Sequence, residues 1–422
     1  MKKHLIVAPP PEALTGISYF TYRVFGDDPR FDIEYCCEVY NESSNYRKAI
    51  SITANFHQYS TVTLVLGNSS HNILAALVLQ LTRGYKGSGV KIFVEIHDPV
   101  LSNILHQSEK VLASHGVIFP RDTHKDFYFF KLNAFADDSP DIDALYENHS
   151  IWQLHIKYGI MSARYLANNF PIYGLIFHSK YATNAYLDKL SLSNTIVPSL
   201  VSLYHPCFDE LHDRTTSTRE FAVGVFGVMD NGGKMTNISE RVIDKIRRNF
   251  PNQKFVFAGY NANEWINTNA IDVTNCSVFN NPSREKLFEI MCNTKIALQP
   301  RASNSGESSG IIPMLIAAST YAIVSNIGAF TEYNLDSILP RDNARFKQQA
   351  INAVTKLLNN NANVDFSANA DYIKKHSVSS FKDKIYSILC DSAKVPFIRI
   401  SSNKIALGLS TKNLISETRI YS

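Results

Sequence analysis

Along this chain, short apolar runs alternate with longer segments whose apolar residues recur at helical spacing. That rhythm restricts the fold more than any other feature. In the first half, His4–Ala8, Phe31–Val39, Thr61–Leu66, Val90–Ile96 and Tyr173–Phe177 read as strands. Between them lie an amphipathic stretch over Ile17–Phe25 and a helix over His71–Thr82, capped by Ser69 or Ser70. The second half repeats the pattern. Phe221–Phe226, Lys254–Ala258, Lys295–Leu298 and Ala322–Ser325 read as strands, and Ser283–Cys292 and Ile311–Ser319 as helices. Ile238, Val242, Ile243, Ile246 and Phe250 fall on one helical stripe. Strands that alternate with helices pair in parallel, because a parallel pair needs a crossover. The fold class is therefore α/β, and the two runs predict two doubly wound domains.

The length of 422 residues suits about two domains of ordinary size. The expected division is an N-terminal domain over 1–205, a polar linker over 206–219, a C-terminal domain over 220–395 and a tail over 396–422. The linker is placed by Asp209–Glu220, which has no apolar period. The composition of the tail assigns it to neither domain; packing back on the N-terminal one is an arrangement that a two-domain α/β chain allows. A net charge of +4 is too mild for a nucleic-acid partner, where clustered Lys and Arg are expected, but it suits a site for a small anion. The six cysteines form no C-x-x-C pair and read as free thiols in a reducing compartment. Leu5–Ala8 is too short for a signal-peptide core, and the longest apolar run, Ile73–Leu81, is about half a membrane span. A cytoplasmic protein is expected.

In open α/β sheets, ligands bind beyond the carboxyl ends of the strands. Polar residues recur at that place: Gly67-Asn68-Ser69, His97-Asp98, His178-Ser179, Gly227 with Lys234 nearby, Gly259, Arg301–Gly310 and Ser325–Glu332. The most distinctive stretch is Arg301-Ala-Ser-Asn-Ser-Gly306-Glu307-Ser308-Ser309-Gly310, just before an apolar helix. Helix-starting N–H groups favour an anion, and the two glycines let a ligand approach the backbone. A carboxylate there would reach past the anion to hydroxyls. A sugar joined to a phosphate satisfies both, with Arg301 and Lys234 as balancing cations. Taken singly, each of these residues also has a plain reading: Glu307 as a helix cap, Arg301 as a surface cation, Lys234 in a common glycine turn and His97 as the end of a buried strand.

Together the residues resemble a known pattern. Arg301-A-S-N-S-Gly306-Glu307-S-Ser309-Gly310, followed by Gly328-A-Phe330-T-Glu332, is similar to the donor-site signature of family-four glycosyltransferases. Leu66-Gly67-Asn68-Ser69-S-His71, Ile96-His97-Asp98, Phe177-His178-Ser179-Lys180-Tyr181 and Pro10-Pro11-E-A-L-T-Gly16-Ile17 resemble further landmarks of that group. The resemblance implies the GT-B architecture of two Rossmann-like doubly wound domains facing across a cleft, retaining transfer from a nucleoside diphosphate sugar, and no cofactor or metal. On that pattern Glu307 binds donor sugar hydroxyls, and amides around Ser308, Ser309, Gly310 and Ile311 bind phosphate or sugar. Lys234 holds the diphosphate and Gly16 lies near it. His97 faces the reaction centre, with Asn68, Asp98 and His178 on the acceptor side.

The chain departs from the pattern at three points. The second acid of the family falls on Leu315, with Glu332 as a substitute; the arginine expected before the lysine falls near Val228; and the usual Ala-Gly pair is Ser319-Thr320. The implied partners are a nucleotide sugar and a glycan or lipid-linked acceptor, with peripheral contact at the inner face of a membrane. Two alternatives stay open: a nucleotide-sugar epimerase, for which no convincing pair of acids is present, and a non-catalytic nucleotide-sugar-binding partner of an active transferase. Asp141-Ile142-Asp143 has metal-binding spacing but sits in a loop-like acidic segment.

Overall fold

The computed structural model describes residues 3–13, 15–83, 89–98, 101–117, 166, 170–190, 196–197, 199–207, 219–302, 304, 306–359, 364–390, 398–399 and 420–421. The Asp141–Asp143 segment, most of the expected linker and most of the expected tail lie outside these residues. Two compact units are present: Met1–Tyr204 with Ser305–Ser308 and Phe381–Ser422, and His205–Asn304 with Ser309–Ser380.

In chain order the first elements are β1 (His4–Ala8), α1 (Gly16–Phe25), β2 (Phe31–Tyr35), α2 (Glu42–Ala54), β3 (Thr61–Leu66), α3 (Ile73–Leu81), β4 (Lys91–Ile96), α4 (Ser102–Ser114), β5 (Ile172–Phe177), α5 (Lys180–Leu190), β6 (Ile196–Val197) and β7 (Ser199–Leu203). There follow β8 (Phe221–Phe226), α6 (Thr236–Asn249), β9 (Lys254–Gly259), α7 (Ala262–Thr268), β10 (Cys276–Asn280), α8 (Arg284–Cys292), β11 (Thr294–Gln299), α9 (Ile311–Ala317), β12 (Tyr321–Ser325) and β13 (Ile338–Arg341). The last are α10 (Phe346–Asn359), α11 (Ser367–Lys375), α12 (Val378–Cys390), β14 (Ile398–Arg399) and β15 (Ile420–Tyr421).

The first unit holds a seven-stranded sheet in the order β15-β7-β5-β4-β3-β1-β2, with every pairing parallel. A separate antiparallel pair joins β6 to β14. Helices cover both faces of such a sheet, so its strands read as unbroken apolar runs rather than alternating ones. All of Thr-Val-Thr-Leu-Val-Leu in β3 is buried. Ile73–Gln80 of α3 is buried on every side, as expected of a helix inside a core. Thr15 starts α1 by accepting the Ser18 N–H at 3.1 Å.

The second unit holds a six-stranded sheet in the order β10-β9-β8-β11-β12-β13, again parallel throughout. On α6 the expected stripe buries Val242, Ile243 and Ile246 against it. Ser283 caps α8 through the Lys286 N–H at 3.2 Å.

Three element ends differ from expectation by two residues or more, each for a local reason. β2 stops at Tyr35, because the Cys37 N–H turns aside to the Asn45 side chain at 3.0 Å. α3 starts at Ile73 because Ser70–Asn72 forms a tighter turn, with Ser69 Oγ accepting the His71 N–H at 3.4 Å. α9 stops at Ala317, since Ser319 takes a left-handed φ of 49°.

Candidate active site

In the first unit, β4 and β5 are neighbours and their carboxyl ends carry His97 and His178. Glu95, two residues before His97, projects from the same face of β4 and is wholly buried. Its Oε1 lies 3.2 Å from His178 Nε2 and 3.9 Å from His97 Nε2. His178 Nδ1 donates to the Leu203 carbonyl at 3.0 Å, which orients the ring. The imidazole centroids are 4.3 Å apart, and Phe20 packs edge-on against both rings. Among the described residues these three side chains are the group whose donor atoms converge closely enough to hold a metal ion. The sequence reading missed Glu95. Its signal was a lone acid in an otherwise apolar strand, two residues from a histidine.

Asn68 and Asp98 tie the same strand ends together. Asp98 Oδ2 accepts the Asn68 N–H at 3.0 Å, and Asn68 Oδ1 accepts the Asn103 and Ile104 N–H groups at 3.1 and 3.3 Å. Leu101 offers α4 no side-chain cap, so Asn68 supplies one from a distance. Gly16 is the first residue of α1 and exposed. Residues 305–308 also belong to this unit. There Ser179 Oγ donates to the Gly306 carbonyl at 2.7 Å, and Gly306, at φ +108°, packs so closely on Ala182 that no side chain would fit. Glu307 and Ser308 follow, partly exposed.

In the second unit, the ends of β8 and β9 are bare backbone. Gly227 has φ +101°, and a Cβ on Gly259 would run into the Gly227 carbonyl. The next loop is folded by Asp230, whose Oδ1 accepts the Lys234 N–H at 3.1 Å and whose carbonyl accepts the Thr236 N–H at 2.8 Å. The Ala302 N–H donates to Gly233 O at 3.1 Å, so the Lys234 and Arg301 loops are held side by side beyond adjacent strands. Arg301 is buried; its guanidinium donates to Pro300 O at 3.0 Å and lies 5.2 Å from the Phe330 ring centre. Asn304 Oδ1 accepts the Ala329 N–H at 2.9 Å, which anchors the turn leading to Glu332.

The amide of Ile311 is engaged by Ser309 Oγ at 3.3 Å, and α9 has seven residues, so the helix-start contribution is smaller than the sequence suggested. A cation that the sequence reading missed stands at this place. A methyl group on Gly310 would lie 3.6 Å from Arg284 Nη2 and 3.9 Å from the His205 ring. Leu315 is fully buried among apolar neighbours, while Val228 is exposed.

No protein-family model matches the chain, and no curated protein matches its sequence. Solved structures do match its fold. Sucrose-phosphate synthase from Thermosynechococcus elongatus has a TM-score of 0.59 at 10% identity, over 93% of this chain and 99% of that one. The UDP-forming α,α-trehalose-phosphate synthase from Burkholderia xenovorans has a TM-score of 0.54 at 9% identity, over 93% and 100%. The pneumococcal O-GlcNAc transferase GtfA, solved with UDP and GlcNAc, has a TM-score of 0.51 at 10% identity over 82% of this chain, which spans 60% of GtfA's length. Two parallel sheets flanked by helices, with this order of elements and these neighbours, give the chain the α/β fold of the GT-B glycosyltransferases.

Proposed function

We propose that this protein transfers a hexosyl or related sugar, with retention, from a nucleoside diphosphate sugar to a hydroxyl acceptor. The observation that carries the reading lies in the second unit: the Lys234 and Arg301 loops are bonded together beyond β8 and β11, with a further cation, Arg284, beside Gly310. Breaking the glycosidic C–O bond puts negative charge on the departing diphosphate. Lys234 meets that charge directly, while Arg301 supplies positive potential from inside its loop. Fixed cations of this kind act on the transition state because they need no reorganisation as charge develops. Glu307 accepts hydrogen bonds from the sugar hydroxyls, and Gly306, Ser308, Ser309, Gly310 and Ile311 shape the loop around them. Glu332 stands in for the acid that Leu315 does not provide. Gly16 lies by the diphosphate, and His97 faces the reacting carbon, with Asn68, Asp98 and His178 shaping the acceptor side. A diphosphate oxygen takes the acceptor proton, and the fixed cations take the charge-stabilising place that a divalent ion on the diphosphate would fill.

On this reading, 1–205 is the acceptor-side domain, 206–219 the linker, 220–395 the donor domain and 396–422 the tail. The pathway class is surface polysaccharide or glycoconjugate synthesis in the cytoplasm, at the inner face of the membrane. Among the described residues no helix is long and apolar enough to cross a membrane. The partner-subunit reading has one specific support: buried Leu315 and exposed Val228 replace charged groups.

The test is transfer from a panel of nucleotide sugars, following released nucleotide and new glycoside. Glu307→Ala and Lys234→Ala are each expected to cut turnover roughly 100–1000-fold, about 2.7–4 kcal/mol of barrier, with the fold intact by circular dichroism. Near-normal transfer by either variant overturns the assignment. Binding without nucleotide release favours the partner-subunit reading.

A further inference from the structure

We propose that Glu95, His97 and His178 form a binding site for a transition-metal dication of the zinc type. Glu95 is wholly buried in the centre of the sheet, and neither of its carboxylate oxygens accepts a hydrogen bond. A buried carboxylate in that condition costs several kcal/mol unless positive charge lies against it. Its ion-pair neighbours among the described residues are the two imidazoles.

The tautomer of His178 decides what can sit between them. A backbone carbonyl only accepts, so the Nδ1 atom facing Leu203 O must carry the hydrogen. In the neutral ring Nε2 is then a lone pair, 3.2 Å from a carboxylate oxygen. Two lone pairs at that distance repel unless a cation joins them. Metal-binding histidines are typically fixed in this way, with the second ring nitrogen donating to a carbonyl. Two imidazole nitrogens and one carboxylate oxygen are a ligand set that zinc accepts, with a fourth position open. Tetrahedral bonds of about 2.0–2.2 Å place ligand atoms about 3.3–3.6 Å apart. The observed 3.2 and 3.9 Å need only small side-chain shifts to match. Phe20 and Phe381 wall the group with apolar surface, their ring centres 5.2 and 6.0 Å from that of His178. The site stands apart from the donor reading: it lies wholly within the first unit, and detecting it requires no nucleotide sugar.

The full-length chain, stripped with a chelator and shown to stay folded, is titrated with Co²⁺ and then Zn²⁺. One Co²⁺ per chain is expected, with the visible bands of a tetrahedral nitrogen–oxygen site and no thiolate charge-transfer band. Zn²⁺ should displace it and raise the unfolding midpoint. Glu95→Gln and His97→Asn should each weaken binding by at least the roughly 10–100-fold that loss of an outer-shell partner causes. A folded wild-type chain that binds neither ion stoichiometrically overturns the proposal and leaves a carboxylate–imidazole ion pair. So does a cobalt spectrum dominated by thiolate, or affinity unchanged in both variants.

Discussion

The pair β4 and β5 in the first unit and the pair β8 and β9 in the second both end at the carboxyl edge of a parallel sheet, yet their ends are built from opposite materials. The first pair ends in buried side chains, with the Glu95 carboxylate 3.2 Å from His178 and 3.9 Å from His97. The second pair ends in two glycines whose backbones touch. Imidazole and carboxylate groups can exchange protons or hold an ion. Bare backbone offers fixed N–H groups and room for a ligand to approach closely. The same class of sheet therefore ends in buried polar side chains in one unit and in bare backbone in the other.

The largest stability effect expected from breaking this contrast is at Gly259. Alanine there would drive a Cβ into the Gly227 carbonyl, a backbone atom that cannot step aside, and should cost about 1–3 kcal/mol or more by urea unfolding. Gly16→Ala is the control: a Cβ there meets nothing within 4 Å, and at the first residue of α1 it should be neutral or add up to about 1 kcal/mol. Equal effects at the two positions would dissolve the contrast.

Asn68→Ala comes next. Removing the acceptor of two N–H groups at the start of α4 should cost about 0.5–2 kcal/mol, with Asn68→Asp retaining most of it.

The smallest effect is a pH dependence in the first unit. Burial, and then the nearby Arg30 charge, hold His4 below the ordinary imidazole range, so its neutral form is favoured in the folded state. The unfolded chain then binds the proton more readily. Stability from this group is present above about 6.5, the unfolded value, and is lost as pH falls through the lower folded one. Unfolding midpoints should drop between pH 7 and 5, and His4→Gln should flatten the drop.

Most of the fold was legible because central parallel strands are unbroken apolar runs. β1, β3 and β8 begin and end where composition placed them. The edge strands of the second sheet were not legible: β10 is half-exposed, so its run is mixed, and β13 contains a proline. The polar α2 also escaped notice, since few of its side chains are buried.

At the site, the Lys234 and Arg301 loops could be located from glycines and charges, but their mutual bonding could not. Glu95 and Arg284 escaped for different reasons. Glu95 is hidden in a strand whose neighbours are apolar. Arg284 opens a helix remote in sequence from Gly310 and meets it only through the packing of the second unit.

The pairing of β15 with β7 has a consequence for biosynthesis. Ile420 and Tyr421 border a sheet whose other strands leave the ribosome first. That sheet must wait with an unpaired margin while the whole of the second unit is translated. During this interval β7 presents exposed backbone donors and acceptors, the kind of edge that recruits stray strands. The vulnerable moment in this protein's synthesis therefore falls late, and it concerns the part made earliest.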